Sequence, residues 1–235
     1  MGYSSYSMRT DPHGLYTMSQ MDPFRLETER PGSSPGVVTL WLEQEGRPVV
    51  VLDHELIQRL ETTLKSLPAN AEGLILASAA PRAFVAGADL QAIMALDNNQ
   101  LHRYLDYASG VFGMISDLPY PTAAAIHAAT LGGGLELAMH CDALIASRPE
   151  SKPYPVGLPE AGLSICPGWG GTNLLPARMD PANAIRLTAE GKPMLFDQAE
   201  QAGLFDAVAE TQGDLIEACT SWIRSQPGPV SRAGT

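Results

Sequence analysis

Cysteine is scarce in this 235-residue chain: only Cys141, Cys166 and Cys219 are present. Their number is odd and no two stand at CxxC spacing, which argues against both a disulfide scaffold and a zinc site. A reducing cytoplasm is the expected compartment. Positive charge is also in short supply, with 15 Lys and Arg against 26 Asp and Glu and a net charge of -11. Such an excess repels nucleic acid and anionic membrane, so neither is expected as a partner. An anionic small molecule is still admissible, because a few local cations and backbone N–H groups can hold it. Nowhere do about eighteen apolar residues run together, so no bilayer-spanning segment is expected.

What is present fits one globular unit, since 45% of the residues are hydrophobic and the length supports a single substantial core. Residues 1–35 are expected to form a mobile extension, their opening "MGYSSYSMRTDPHGLYTMSQMDPF" lacking the apolar centre of a signal peptide. Residues 226–235, within "SQPGPVSRAGT", are rich in Gly, Pro and Ser and read as a tail. The folded domain is therefore expected over 36–225.

Within it, strand and helix signals alternate. "GVVTLWLE" from Gly36 reads as a strand, and "HELIQRLETTLKSL" from His54 sets Leu56, Leu60, Leu64 and Leu67 at helical spacing. The short apolar runs "GLILAS" from Gly73 and "TAAAIHA" from Thr122 resemble strands buried on both faces. Further helices are expected over Asp89–Leu96, Gln100–Ser116, Leu135–His140, Pro181–Glu190 and Asp214–Ser225. Interleaved strands and helices imply an α/β fold.

Each of the two buried runs leads into a loop with chemical potential. "AAPRAFVAGADL" follows the first, with Asp89 as a helix N-cap and free backbone N–H groups near Ala88. "TLGGGLE" follows the second and again feeds a helix, whose unpaired N–H groups and dipole attract negative charge. One donor from each turn is the composition of an oxyanion hole. Three consecutive glycines cost about 1 kcal/mol each inside a helix, so something must approach too closely for a side chain, or a tight turn or helix contact requires them.

Two carboxylates stand beside these turns. Glu136 lies among Leu135, Leu137, Ala138 and Met139, and a buried carboxylate is either paired or functional; a capping role under the helix dipole is the alternative. Glu160, in "GLPEAGLSICPGWGGTNLLP", sits on a stiff Pro- and Gly-bounded loop. Together they suit general acid and base work, unless they are unrelated surface or capping groups. His127 and His140 have no second ligand at metal spacing, and no metal is expected. "GGG" is not followed by GK[ST], and neither Ser164 nor Cys166 lies in a GxSxG elbow. Trp169 reads as a packing residue or as part of a pocket wall.

"RAFVAGADL", "AATLGGGLELAMHCD" and "GLPEAGLSICPGWGGTNLLP", followed by "AEGKPMLFDQAEQAGLFDAV", resemble in order the enoyl-CoA hydratase and isomerase (crotonase) family. That resemblance implies the ClpP/crotonase-like α/β fold, a spiral of repeated strand-strand-helix units, and an acyl-CoA thioester as substrate. It assigns Ala88 and Gly133 to the N–H groups that clasp the thioester oxygen. It makes Glu136 the group that activates water, and Glu160 the donor of a proton to the carbon beside the carbonyl. Ala86, Ala88, Asp89, Leu90, Gln91 and Gly133 are the expected substrate contacts, with the Ala86 carbonyl facing the adenine. No separate cofactor is implied, because coenzyme A is part of the substrate. Both acids are kept, which favours hydration; isomerisation, or a non-catalytic acyl-CoA-binding subunit, is the alternative. Gln91 stands where the family commonly has lysine, and "RPESKPYPV" is longer than the usual loop. "EGRPVVVLDHEL" is closest to hydratase domains of bifunctional fatty-acid oxidation proteins. The family's last helical turns have no counterpart after Trp222, so a homotrimer, a hexamer or a larger multifunctional chain is the expected setting.

Overall fold

A computed structural model describes residues 22–29 and 36–228, together with the backbone of residues 6–10 and 16–20. The chain opens with β1 (Tyr6–Thr10), β2 (Tyr16–Gln20), β3 (Arg25–Thr28) and β4 (Val37–Leu42), followed by α1 (His54–Ser66). Next come β5 (Gly73–Ser78), β6 (Ala83–Val85), α2 (Leu90–Met94) and α3 (Asn98–Ser116). The pattern then repeats as β7 (Thr122–Ile126), β8 (Ala129–Leu131) and α4 (Gly133–Met139), and again as β9 (Ala143–Ser147) and β10 (Pro155–Gly157). A 3-10 turn over Glu160–Leu163 leads to α5 (Gly171–Leu174) and α6 (Pro181–Glu190). The chain closes with β11 (Met194–Leu195), α7 (Phe196–Gln201), β12 (Ala207–Ala209) and α8 (Leu215–Ser225).

Successive strands go to different sheets. β5, β7 and β9 lie in a six-stranded sheet of order β12-β9-β7-β5-β4-β3, parallel except for β3. β6, β8 and β10 lie side by side and parallel in a second sheet of order β11-β10-β8-β6. Each turn of the chain thus lays one strand on each sheet before running into a helix or helical turn. This is the strand-strand-helix spiral expected from the sequence.

The apolar runs are buried because both faces of the larger sheet are covered. Leu74, Leu76, Ala124 and Ile126 point into the main core with α1 and α3, while Ile75, Ala77, Ala123 and Ala125 point the other way, under Cys219 and Ile223 of α8. The small alanines let α8 come close, and a Cβ on Gly73 would lie 2.4 Å from Ile223.

The sheet reaches into the segment expected to be an extension. β3 pairs with β4 from Arg25↔Trp41 to Thr28↔Val38, and the adjoining Phe24 is buried, its N–H donating to Thr63 Oγ1 at 2.8 Å. "RLET" carries too few apolar residues to announce a strand; an edge position and the Arg25 guanidinium 5.0 Å over the Trp41 ring supply what the pattern lacks. β1 and β2 pair antiparallel as a separate two-stranded sheet, while residues 1–5, 11–15, 21, 30–35 and the tail from residue 229 lie outside the described residues.

Leu76 sits at the centre of the larger sheet with no exposure, whereas Ile185 on α6 is 61% exposed. Leu76→Ala is expected to cost about 2–5 kcal/mol and Ile185→Ala under about 0.5 kcal/mol, measured by urea unfolding; equal costs would contradict this placement of the core.

Candidate active site

The ends of three neighbouring parallel strands meet at one place. β6 leads to Ala88, β8 to Gly133 and β10 to Glu160, so consecutive turns of the spiral deliver one group each to the same edge of the second sheet. The carboxyl ends of parallel strands are where α/β folds place their ligands.

Ala88 is held by its neighbours. The Ala86 N–H donates to Val50 O at 2.8 Å, the Leu52 N–H to Gly87 O at 2.8 Å, and the Asp89 N–H to Leu52 O at 3.1 Å. Gly87, at φ +112°, makes the irregularity that puts both bonds of Leu52 on the residues flanking Ala88. The Ala88 N–H itself finds no acceptor among the described residues. Asp89 then starts α2 as its N-cap, accepting from the Ala92 N–H at 3.0 Å.

The three glycines have three separate reasons. Gly132 adopts φ 55°, ψ -130°, a conformation that glycine alone takes without strain, and a Cβ there would lie 2.8 Å from Glu160 Oε1. A Cβ on Gly133 would lie 2.4 Å from the Trp169 ring, and one on Gly134 would lie 2.4 Å from Val85 O. α4 therefore begins at Gly133 rather than at the expected Leu135, its first turn pressed between β6 and Trp169. The Gly132 N–H donates to Gly157 O at 2.9 Å, while the Gly133 N–H finds no acceptor among the described residues.

The carboxylates sit in contrasting surroundings. Glu136, 1% exposed, accepts through Oε1 from the Trp169 N–H at 2.7 Å and the Gly171 N–H at 2.8 Å. Burial pushes its pKa up, and these loop amides, with that of Gly168, pull it back toward the ionised form. Glu160 is 7% exposed, and its Oε2 is buried without a hydrogen-bond partner. Burial, with the Glu136 charge adding to it, pushes the Glu160 pKa up to about 7. Both carboxyls are thus raised by burial, but only Glu136 has backbone amides that favour its charged form, whereas Glu160 has an oxygen without a donor.

A cavity of about 470 Å³ joins these groups, within the usual range for a small-molecule site. Its wall includes Ala86, Ala88, Leu90, Gly133, Glu136 and Glu160. Asp89 and Gln91, expected as substrate contacts, are not part of it: the Asp89 carboxylate is engaged in capping α2, and Gln91 is exposed on that helix. Leu101 and Leu105 of α3, with Ile165 and Pro167, add to the apolar wall and were not among the expected site residues. The spacing of Leu101 and Leu105 one helical turn apart was the available signal. Trp169 combines both readings, lining the cavity while packing edge-on against Phe112 and Tyr104. His127 and His140 are packed: His127 Nε2 lies 2.8 Å from Ala80 O, and His140 Nε2 lies 3.1 Å from Trp169 O. Among the described residues no cluster could hold a metal, and no helix is long and apolar enough to cross a membrane.

The fold that carries this arrangement has counterparts among known proteins. The enoyl-CoA hydratase/isomerase family profile matches residues 37–231, and the chain belongs to that family. It is 33% identical over 194 residues to the fatty acid oxidation complex subunit alpha of Psychrobacter sp. (strain PRwf-1). The match takes in 80% of this chain and 26% of the relative, so the chain spans about a quarter of that protein's length. Among solved structures, the enoyl-CoA hydratase of Bacillus anthracis superposes with a TM-score of 0.74 at 29% identity, covering 86% of this chain and 77% of that one. Pseudomonas aeruginosa DspI superposes with a TM-score of 0.72 at 25% identity, covering 88% and 83%.

Because the Glu160 pKa is raised from 4.5 to about 7 on folding, the folded chain retains a proton across that window after the unfolded chain has released it. Stability attributable to Glu160 is therefore greatest below pH 4.5 and declines as pH rises toward about 7. Glu160→Gln should lose less stability than the parent over this interval, by about 1–3 kcal/mol in paired urea unfolding curves; parallel pH profiles would refute the assignment.

Proposed function

We propose that this chain is an enoyl-CoA hydratase, adding water across the double bond of a 2-enoyl-CoA thioester. The observation that carries the reading is the presence, in one mostly apolar cavity, of two peptide N–H groups without acceptors among the described residues and two buried carboxylates, one held by loop amides and the other with an unpartnered oxygen. The thioester oxygen accepts from the Ala88 and Gly133 N–H groups. As negative charge builds on that oxygen, electron density leaves the β-carbon, and one such donor contributes about 3 kcal/mol to the transition state. Glu136, oriented by the Trp169 and Gly171 amides, takes a proton from the water that attacks the β-carbon. Glu160 delivers its proton to the α-carbon, completing the addition without a separate cofactor.

Double-bond isomerisation needs the same donors but one acid, so the juxtaposition of two supports hydration. The exposed apolar residues Leu90, Leu163 and Ile165 border the cavity. They support a cover contributed by a neighbouring subunit in a trimer or hexamer, or by further parts of a multifunctional fatty-acid oxidation chain.

Purified protein mixed with crotonyl-CoA is expected to remove the conjugated enone absorbance, with Glu136→Gln slowing that loss by at least about 100-fold while leaving the unfolding midpoint near the parent's. Unchanged turnover in the variant rejects Glu136 as the base. Migration of the double bond in a 3-enoyl-CoA, with no hydration of crotonyl-CoA, would establish the isomerase instead.

A further inference from the structure

One side chain outside the cavity wall touches the supports of both donors. Tyr104, on α3, donates its hydroxyl to the Leu52 carbonyl oxygen at 3.2 Å. That oxygen also accepts the Asp89 N–H, and the Leu52 N–H donates to Gly87, so the hydroxyl is anchored on the residue that brackets Ala88 from both sides. The Tyr104 ring meets Trp169 edge-on, with centroids 5.8 Å apart and planes at 71°. Trp169 supplies the ring against which Gly133 packs, and its backbone N–H donates to Glu136 Oε1. The Leu52 side chain also reaches Gly133, where a Cβ would lie 2.9 Å from its Cδ1, so Leu52 and Trp169 flank that donor together and Tyr104 touches both.

We infer that Tyr104 is a positioning residue that fixes the spacing and aim of the Ala88 and Gly133 N–H groups, by tying the Leu52 frame to the Trp169 wall. The inference rests on the reading of the cavity as an acyl-thioester site. Tyr104 acts through these two neighbours and does not line the cavity. A phenylalanine would supply the same ring contact, so what distinguishes tyrosine here is the bond to Leu52. Burial, then the charges of Asp53 and Asp89, push its hydroxyl pKa up to about 12, which keeps it a donor throughout the neutral range. The Leu52 carbonyl retains the Asp89 N–H when the hydroxyl is removed, so the local chain path survives while α3 loses its hold on it. Donor alignment is the property most sensitive to such loosening, because transition-state stabilisation by fixed amides depends on sub-ångström placement.

The test compares the parent and Tyr104→Phe in full-length protein. kcat on crotonyl-CoA is expected to fall about five- to tenfold, with KM changed less than about twofold and the unfolding midpoint close to the parent's. In infrared difference spectra of bound butyryl-CoA labelled with ¹³C at the thioester carbonyl, the stretch should move from its lowered frequency in the parent back toward the value of free ligand. A kcat and carbonyl frequency equal to the parent's overturn the inference. So does a loss of activity that follows KM or unfolding while the frequency holds, since that is a structural role only. A parent whose bound carbonyl shows no lowered frequency overturns the oxyanion reading itself, and the role of Tyr104 with it.

Discussion

Two peptide N–H groups that find no carbonyl among the described residues are the constraint on which this site depends. Leaving a buried backbone donor without an acceptor costs about 1–3 kcal/mol, so the surrounding chain must prevent each from turning inward to find one. Both cases are solved by occupying the neighbours. Leu52 takes up the carbonyl of Gly87 and the N–H of Asp89, leaving Ala88 between them; Gly132 bonds through its N–H to Gly157 and through its carbonyl to Leu135 and Glu136, leaving Gly133 beyond reach. The spiral supplies the remainder, because β6 and β8 are adjacent and parallel and their exits face the same space.

The same economy governs the acids. Glu136 grows from the helix that Gly133 begins and is bound by the amides of the loop carrying Trp169, whereas Glu160 leaves the next strand and rests against Gly132 with one oxygen unpartnered. The glycine turn is thus where the third group approaches the second. Bulk at any of its three positions would strike a different partner: a carboxylate, an indole ring or a strand carbonyl.

Much of this was legible in the chain because local pattern and tertiary role agree. The apolar runs at Gly73 and Thr122 became the central strands, and Pro181–Glu190 formed a helix over the residues expected, with Asp180 capping it and Gly191 ending it. Where the pattern was thin the reading fell short. β6, β8, β10, β11 and β12 have two or three residues each, too few for a period to register. β3 is an edge strand with one apolar residue, and α4 begins on glycines that propensity places outside a helix. Asp89 and Gln91 were expected contacts because the family resemblance sets the stretch Ala86 to Gln91 beside coenzyme A; Leu90 between them lines the cavity, while they do not.

The electrostatic contact between Glu136 and Glu160 has a consequence for the reaction cycle. In the proposed hydration the first acid gains a proton and the second loses one, so the pair carries a single negative charge before and after, merely relocated. The finished enzyme is therefore a mirror of its starting form, primed to expel water from the alcohol just made. Repeated forward cycles require that the proton return between the two carboxylates while the cavity is empty, through solvent or a bridging water, and product departure is what opens that route.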